Sequence, residues 1–230
     1  MKLLSTLGVI GVLRVVMPEW QAANGVEVDA SYDPTALMLE RIAAGETADA
    51  AFLTSAGVDR LIAQGVLKAG SRVDIARSLV GLAVPAGAPK PDLSTVEATT
   101  KALLAARSVV YSRKGQSGIF FAGLIERLGI AAEINARATI VEAGTTADGI
   151  VDGRGDLAVQ QVSELMLVDG VDIAGALPAE LQDDLVFSGG IFSGSPHAAL
   201  AASLIAAMAD PARAALYTRK GLQAINRGSA

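Results

Sequence analysis

A chain of 230 residues with 51% apolar side chains has enough material for one large core or two small ones without covalent staples. It contains no cysteine, which excludes disulfides, thiolate metal sites and thiol catalysis, and its single histidine, His197, leaves little scope for a histidine-based metal centre or triad. A net charge of −5 with only 4% aromatic residues argues against a nucleic-acid surface, which needs cations and stacking platforms, so any anion site must be local.

The opening MKLLSTLGVIGVLRVVMPEW begins like a signal peptide, but Arg14 interrupts the apolar run and no small-residue cleavage site follows. The pattern predicts a strand over residues 2–6 and a helix over 8–24 instead. Strands at 26–32 and 49–55 follow, each leading into a helix, at 35–44 and 58–64. Alternation of this kind predicts parallel strands with crossover helices, the α/β class. No apolar run reaches the roughly 18 residues of a membrane span without a charge or a breaker. The expectation is therefore a chain with no membrane insertion, cytoplasmic as the sequence stands and periplasmic if a leader has been removed.

From Ser78 the text changes to SLVGLAVPAGAPKPD, a strand with a Pro-rich exit that suits a chain leaving one lobe for another. Ser94-Thr95 caps a helix running to residue 106, with Glu97 in its first turn where a carboxylate favours the helix dipole. Strands at 108–112, 138–143 and 156–162 alternate with helices at 117–128 and 145–152, completing a second α/β unit. After a loop over 170–182, a strand at 186–192 carries the chain back to two Ala-rich helices, 196–209 and 211–219. The expected architecture is two Rossmann-like α/β lobes joined by crossover strands near 78–87 and 186–192, with a cleft between them. Lobe 1 is discontinuous, residues 1–80 plus 190–230, and lobe 2 spans 81–189.

Ligands of open parallel sheets bind beyond the carboxyl ends of the strands, where helix N-termini point. Four strand-to-helix turns carry small polar residues: Ser5-Thr6, Pro34-Thr35, Gln116-Ser117-Gly118 and Gly144-Thr145-Thr146. Each alone reads as an ordinary N-cap; together they could cage an anion with hydroxyls and backbone N–H groups. The third turn follows two cations, Arg113 and Lys114, and its Gly118 would let a ligand come close. Two titratable residues, Glu164 and His197, are candidates for acid–base work. His197 after Ser195-Pro196 also reads simply as the first turn of a helix, and Asp49 as a brace. No Gly-x-Ser-x-Gly elbow points to a hydrolase.

The phrases ERIAAGETADAAFLTS, SVVYSRKGQSGIFFAGLIERLG and GDLAVQQVSELMLVDGVDIAGALPAELQ resemble the type 2 periplasmic binding proteins, in the branch of the molybdate-binding proteins of ABC importers. The resemblance covers nearly the whole chain, and rests on Gly45-Glu46-Thr47-Ala48-Asp49 with Gln161-Val162-Ser163-Glu164. It implies an oxyanion held by hydroxyls and backbone N–H groups, with no cofactor and no metal. The first-turn serine of those proteins falls near Gly8, so that Ser5 or Thr6 substitutes; the second falls on Thr35, the third-strand small residue on Ser117 and the fifth-strand tyrosine near Gln161. With two hydroxyls lost and Arg113 and Lys114 gained, the expected guest shifts from molybdate to a di- or tricarboxylate, because the planar fork of arginine matches a carboxylate. Gln160 and Gln161 alternate on their strand, so only one can face such a guest; the resemblance favours Gln161. The implied partner, for an exported chain, is an ABC-transporter permease. The same branch also resembles an aconitate isomerase, which makes proton transfer on a small polycarboxylate the alternative function.

Overall fold

The computed structural model describes residues 1–142, 144–182 and 185–225. The chain divides into two compact units, one of residues 1–78 with the chain from Leu185 onward, the other of residues 79–184.

In the first unit, β1 (Lys2–Ser5) leads through a 3-10 turn, Leu7–Val9, into α1 (Ile10–Asn24), which ends at Gly25 in the left-handed conformation, φ 63°. Next come β2 (Asp29–Tyr32), α2 (Thr35–Ala43), β3 (Ala50–Thr54), α3 (Ser55–Ala63) and β4 (Val73–Ser78). The second unit holds β5 (Val80–Pro85), α4 (Val96–Ala105), β6 (Val109–Ser112), α5 (Gln116–Arg127), α6 (Ala131–Asn135), β7 (Thr139–Val141), α7 (Thr146–Val151), β8 (Leu157–Gln161), the one-turn α8 (Val162–Leu165) and β9 (Val171–Ala176). Back in the first unit are β10 (Leu185–Ile191), α9 (Ala198–Met208), α10 (Ala214–Arg219) and β11 (Leu222–Ala224).

The first sheet has the order β11-β4-β10-β3-β1-β2, the second β7-β6-β8-β5-β9. Within each, three strands run parallel, β2-β1-β3 and β7-β6-β8, as strands joined by helices do. The strands that carry the chain across, β10 and β5, are antiparallel to both neighbours. Helices cover the faces, so the central strands read as apolar runs such as AAFLT and LAVQQ, every residue of which but Thr54 is buried. The first unit buries Leu3, Val12, Leu13, Phe52 and Phe187 on one face of its sheet, and Leu4, Met38 and Leu53 on the other. In the second, Tyr111, Phe121, Leu124 and Val159 lie on one side of the sheet, and Val110, Ile150, Ala158 and Leu165 on the other.

Glycines make the second crossing possible. A Cβ at Gly189 would stand 2.9 Å from the Phe52 ring and 3.0 Å from Ile205, and one at Gly190 would stand 2.7 Å from Leu67. Successive residues point to opposite faces, so the pair lets β10 slide between helices on both sides. Among the described residues no single helix is long and apolar enough to cross a membrane.

Five elements differ from the sequence reading, among them α6, a short helix of five residues that directly follows α5. β4 was hidden by Asp74 and Arg77, which interrupt its alternation; Asp74 is paired with Arg72 and accepts from the Ser188 hydroxyl. β9 lies in the segment expected as a loop, since Gly175 and Asp172 made it read as irregular. α8 and β11 are too short to leave a periodic signal.

Candidate functional site

In the second lobe the parallel register, Val110 with Thr139 and Val109 with Leu157, brings the carboxyl ends of β6, β7 and β8 to one edge. The Ser112 hydroxyl at the end of β6 accepts from the N–H groups of Lys114 (3.2 Å) and Gly115 (3.1 Å), turning the chain sharply into α5. Gly115 is the N-cap and has no side chain to close the helix start. The next two N–H groups, of Gln116 and Ser117, meet no acceptor among the described residues, and neither does the hydroxyl of the buried Ser117. Two free donors, a hydroxyl and the positive end of a 12-residue helix therefore converge there.

Gly118 has a different purpose from the one expected. A Cβ there would stand 1.5 Å from the Ser112 carbonyl oxygen, so the glycine lets α5 lie on its own strand, and its space is filled by backbone rather than open to a guest. Lys114 is not free either: its Nζ pairs with Glu142 at 2.8 Å, both groups exposed. Lys114, and less strongly Arg113, holds the Glu142 carboxyl below its ordinary value, while Glu142 raises that of Lys114. Arg113 is exposed, with no hydrogen bond or short ion pair among the described residues.

At the end of β7, the Thr145 hydroxyl is consumed in a capping box, accepting from the Asp148 N–H and donating to its carboxylate at 2.9 Å. The inward residue of that turn is Thr146. Its N–H (2.7 Å) and hydroxyl (2.9 Å) both donate to Oε1 of Gln160, whose Nε2 donates to Oε2 of Glu164 at 2.5 Å. All three side chains are buried. Burial pushes the Glu164 carboxyl up to about 7, with Gln160 opposing the shift. Gln161 lies on the other face of β8 and has its own partners. Of the two glutamines, then, Gln160 is the one wired to Glu164 and the α7 turn.

In the first lobe the register of Ser5 with Tyr32 and with Phe52 sets the turns after β1, β2 and β3 side by side. Ser5 is fully buried and donates to the Thr6 carbonyl at 3.0 Å. The buried Thr6 side chain makes no capping bond. Thr35 accepts from the Thr54 N–H at 3.3 Å, and the Thr54 hydroxyl caps α3 through the Gly57 N–H. Thr54 was missed by the sequence reading, although a Thr at the end of a strand, just before a helix, is a visible cap signal.

His197 does not belong to this edge. It precedes α9 at the opposite end of the first sheet, where Ser195 donates to Asp49 Oδ1 (2.6 Å) and the Lys2 N–H to Asp49 Oδ2 (2.7 Å). Burial works to raise the Asp49 carboxyl, but the Ser195 and Lys2 hydrogen bonds, with the charges of His197 and the N-terminus, hold it below its ordinary value. Asp49 is thus a brace, and the Gly-Glu-x-Ala-Asp motif is architecture: Gly45 turns the chain at φ 101°, and Glu46 takes a two-pronged bond from Arg41 and an ion pair from Lys2. Two surface depressions of the first lobe, about 670 and 530 Å³, include none of Ser5, Thr6, Thr35 or Thr54. Among the described residues no group of three or more metal-ligating side chains is placed to hold an ion.

Two α/β sheets, each with parallel strands that end in polar turns and a reversed crossing strand, define a type 2 periplasmic-binding-protein fold. The chain belongs to the bacterial extracellular solute-binding protein family, whose model matches residues 2–223. It is 32% identical over 228 residues to an aconitate isomerase of Pseudomonas sp, covering 96% of this chain and 87% of that protein. Among solved structures it is similar to the periplasmic molybdate-binding protein of Azotobacter vinelandii, with a TM-score of 0.78, 19% identity and coverage of 96% and 98% of the two chains. It is also similar to the sulfate-binding protein of Mycobacterium tuberculosis, with a TM-score of 0.74, 17% identity and coverage of 99% and 87%.

Proposed function

We infer that this solute-binding protein takes a small di- or tricarboxylate at the carboxyl edge of the β6, β7 and β8 strands. The observation that carries this reading is the uncapped start of α5, where among the described residues the Gln116 and Ser117 N–H groups and the Ser117 hydroxyl meet no partner, beside the exposed Arg113. An oxyanion needs several donors at one point, and the helix start supplies them. A carboxylate also gains from a guanidinium, at about 1.5–3 kcal/mol for a charge-assisted bond. For an exported chain the partner that goes with binding is an ABC-importer permease.

The test is calorimetric titration with trans-aconitate, sulfate and molybdate. Arg113→Ala is expected to weaken trans-aconitate at least about tenfold, the equivalent of losing one such bond, with little effect on sulfate. Equal affinity of the variant for trans-aconitate removes Arg113 from the site. Unchanged affinity in Ser117→Ala as well leaves the α5 turn a plain helix start.

A second reading, isomerisation of a small polycarboxylate, is favoured by Glu164, a buried carboxyl that exchanges its proton near neutral pH at the same edge. The identity to the Pseudomonas aconitate isomerase supports it. Shifting a proton from the methylene carbon of cis-aconitate to its vinylic carbon moves the double bond by one position, and the bond can then close in the trans geometry. Proton NMR of cis-aconitate mixed with the protein distinguishes the readings: turnover that disappears in Glu164→Gln supports the isomerase, and binding without turnover supports the carrier.

A further inference from the structure

The Thr146–Gln160–Glu164 chain contains more information than three contacts. An amide has one oxygen that only accepts and one nitrogen that only donates. Gln160 Oε1 is claimed by the Thr146 N–H, which can only donate, while the single Thr146 hydroxyl proton lies within reach of both Oε1 and the Val159 carbonyl, so Nε2 must be the end that meets Glu164. Glu164 Oε2 is therefore obliged to accept. When the carboxyl carries a proton, that proton sits on Oε1.

We propose that Glu164 meets the bound anion as a neutral acid that donates from Oε1, so that anion binding at this edge of the second lobe is coupled to the protonation of Glu164. The proposal rests on the binding reading above and specifies its chemistry. A carboxylate guest is repelled by an ionised carboxylate that no cation neutralises, whereas a neutral acid offers it a hydrogen bond. Glu164 is prepared for this role because, among the described residues, no cation holds it ionised. Of the elements packed on α8, β5 and β8 bring no ionisable side chain, and β9 brings Asp172, which accepts from the Gly87 N–H. α7, packed on β8, brings Asp148, tied up in the Thr145 cap. At the start of α5, Arg113 and Lys114 are exposed, and Lys114 is paired with Glu142. Among the described residues, burial raises the proton affinity of Glu164 to about 7, with the Gln160 amide opposing the rise. Nothing is consumed: the carboxyl keeps its proton, donates its hydrogen bond and is unchanged when the ligand leaves.

The experiment is calorimetric titration of trans-aconitate, fully ionised throughout, from about pH 6.5 to 9, in pairs of buffers with different ionisation enthalpies. Expected is an affinity that falls towards tenfold per pH unit above neutrality, with close to one proton taken up per ligand at the alkaline end. In Glu164→Gln, whose amide cannot ionise, binding is expected to be weaker at pH 6.5 but to lose that slope and that proton uptake. In Gln160→Ala, which releases Oε2, the midpoint of the slope is expected to move. Binding without proton uptake, or a slope that survives in Glu164→Gln, overturns the proton linkage and leaves the binding reading standing. No heat of binding at any pH, with trans-aconitate, sulfate or molybdate, overturns both.

Discussion

Glu164 matters to the molecule with no ligand present. Its buried carboxyl binds a proton more tightly in the folded state, at about 7, than at its ordinary value of 4.5. The stability this contributes is fully present below about pH 4.5 and is lost as the pH rises towards 7, above which an ionised group sits buried. Between those limits the shift amounts to something on the order of 3 kcal/mol. Urea unfolding of the wild type and of Glu164→Gln should accordingly differ by an amount that changes between pH 5 and pH 7.5 and is flat above; a difference independent of pH would mean the carboxyl is hydrated. Glu46 shows the opposite sign. Bonded to Arg41 and Lys2, it is held down to about 2, so its contribution is fully present above about pH 4.5 and is lost as the pH falls towards 2.

At the level of elements, the joints between strand and helix are what the sequence must specify most narrowly, and Gly118 is the tightest of them. In Gly118→Ala the new methyl would overlap the Ser112 carbonyl, and because that obstacle is backbone, α5 has to move. The expected cost is about 2–4 kcal/mol. It should appear as a lower urea midpoint together with weaker trans-aconitate binding, since the same turn presents the free donors; an unchanged midpoint would show that the joint has slack. Joints of this kind were only half visible in the text. The turns at Ser5-Thr6, Thr35 and Ser117 stood out because Ser and Thr mark helix starts. Among the expected contributors, Thr145 has its hydroxyl engaged in capping its own helix and Lys114 is paired with Glu142. The Thr146–Gln160–Glu164 chain could not be read at all, since it joins residues from three elements through side-chain direction, which periodicity does not encode. β4 and β9 went unread for the same kind of reason: Asp74, Arg77 and Gly175 break the alternation, and pairing with β10 and β5 decides the outcome.

For the whole molecule, topology decides what can be removed. β10 and β4 are neighbours in the first sheet, and β10 stands between β4 and β3. A chain cut after residue 184 keeps β1 to β4 but loses the strand that joins β4 to the rest, along with α9, whose Leu204, Ile205 and Met208 pack in the core with Phe52. Hydrogen exchange on that truncated chain should show protection in residues 79–184 and little in 1–78. Comparable protection in both would mean that the β2-β1-β3 group suffices.

The position of β10 also sets a timetable for biosynthesis. A ribosome delivers the amino-terminal residues first, yet their sheet stays unfinished until a strand encoded past residue 184 emerges, while the contiguous second unit can close as soon as it has left the exit tunnel. The nascent chain therefore carries β1 to β4 without β10 and α9 until that later stretch emerges, leaving the Phe52 face only partly covered.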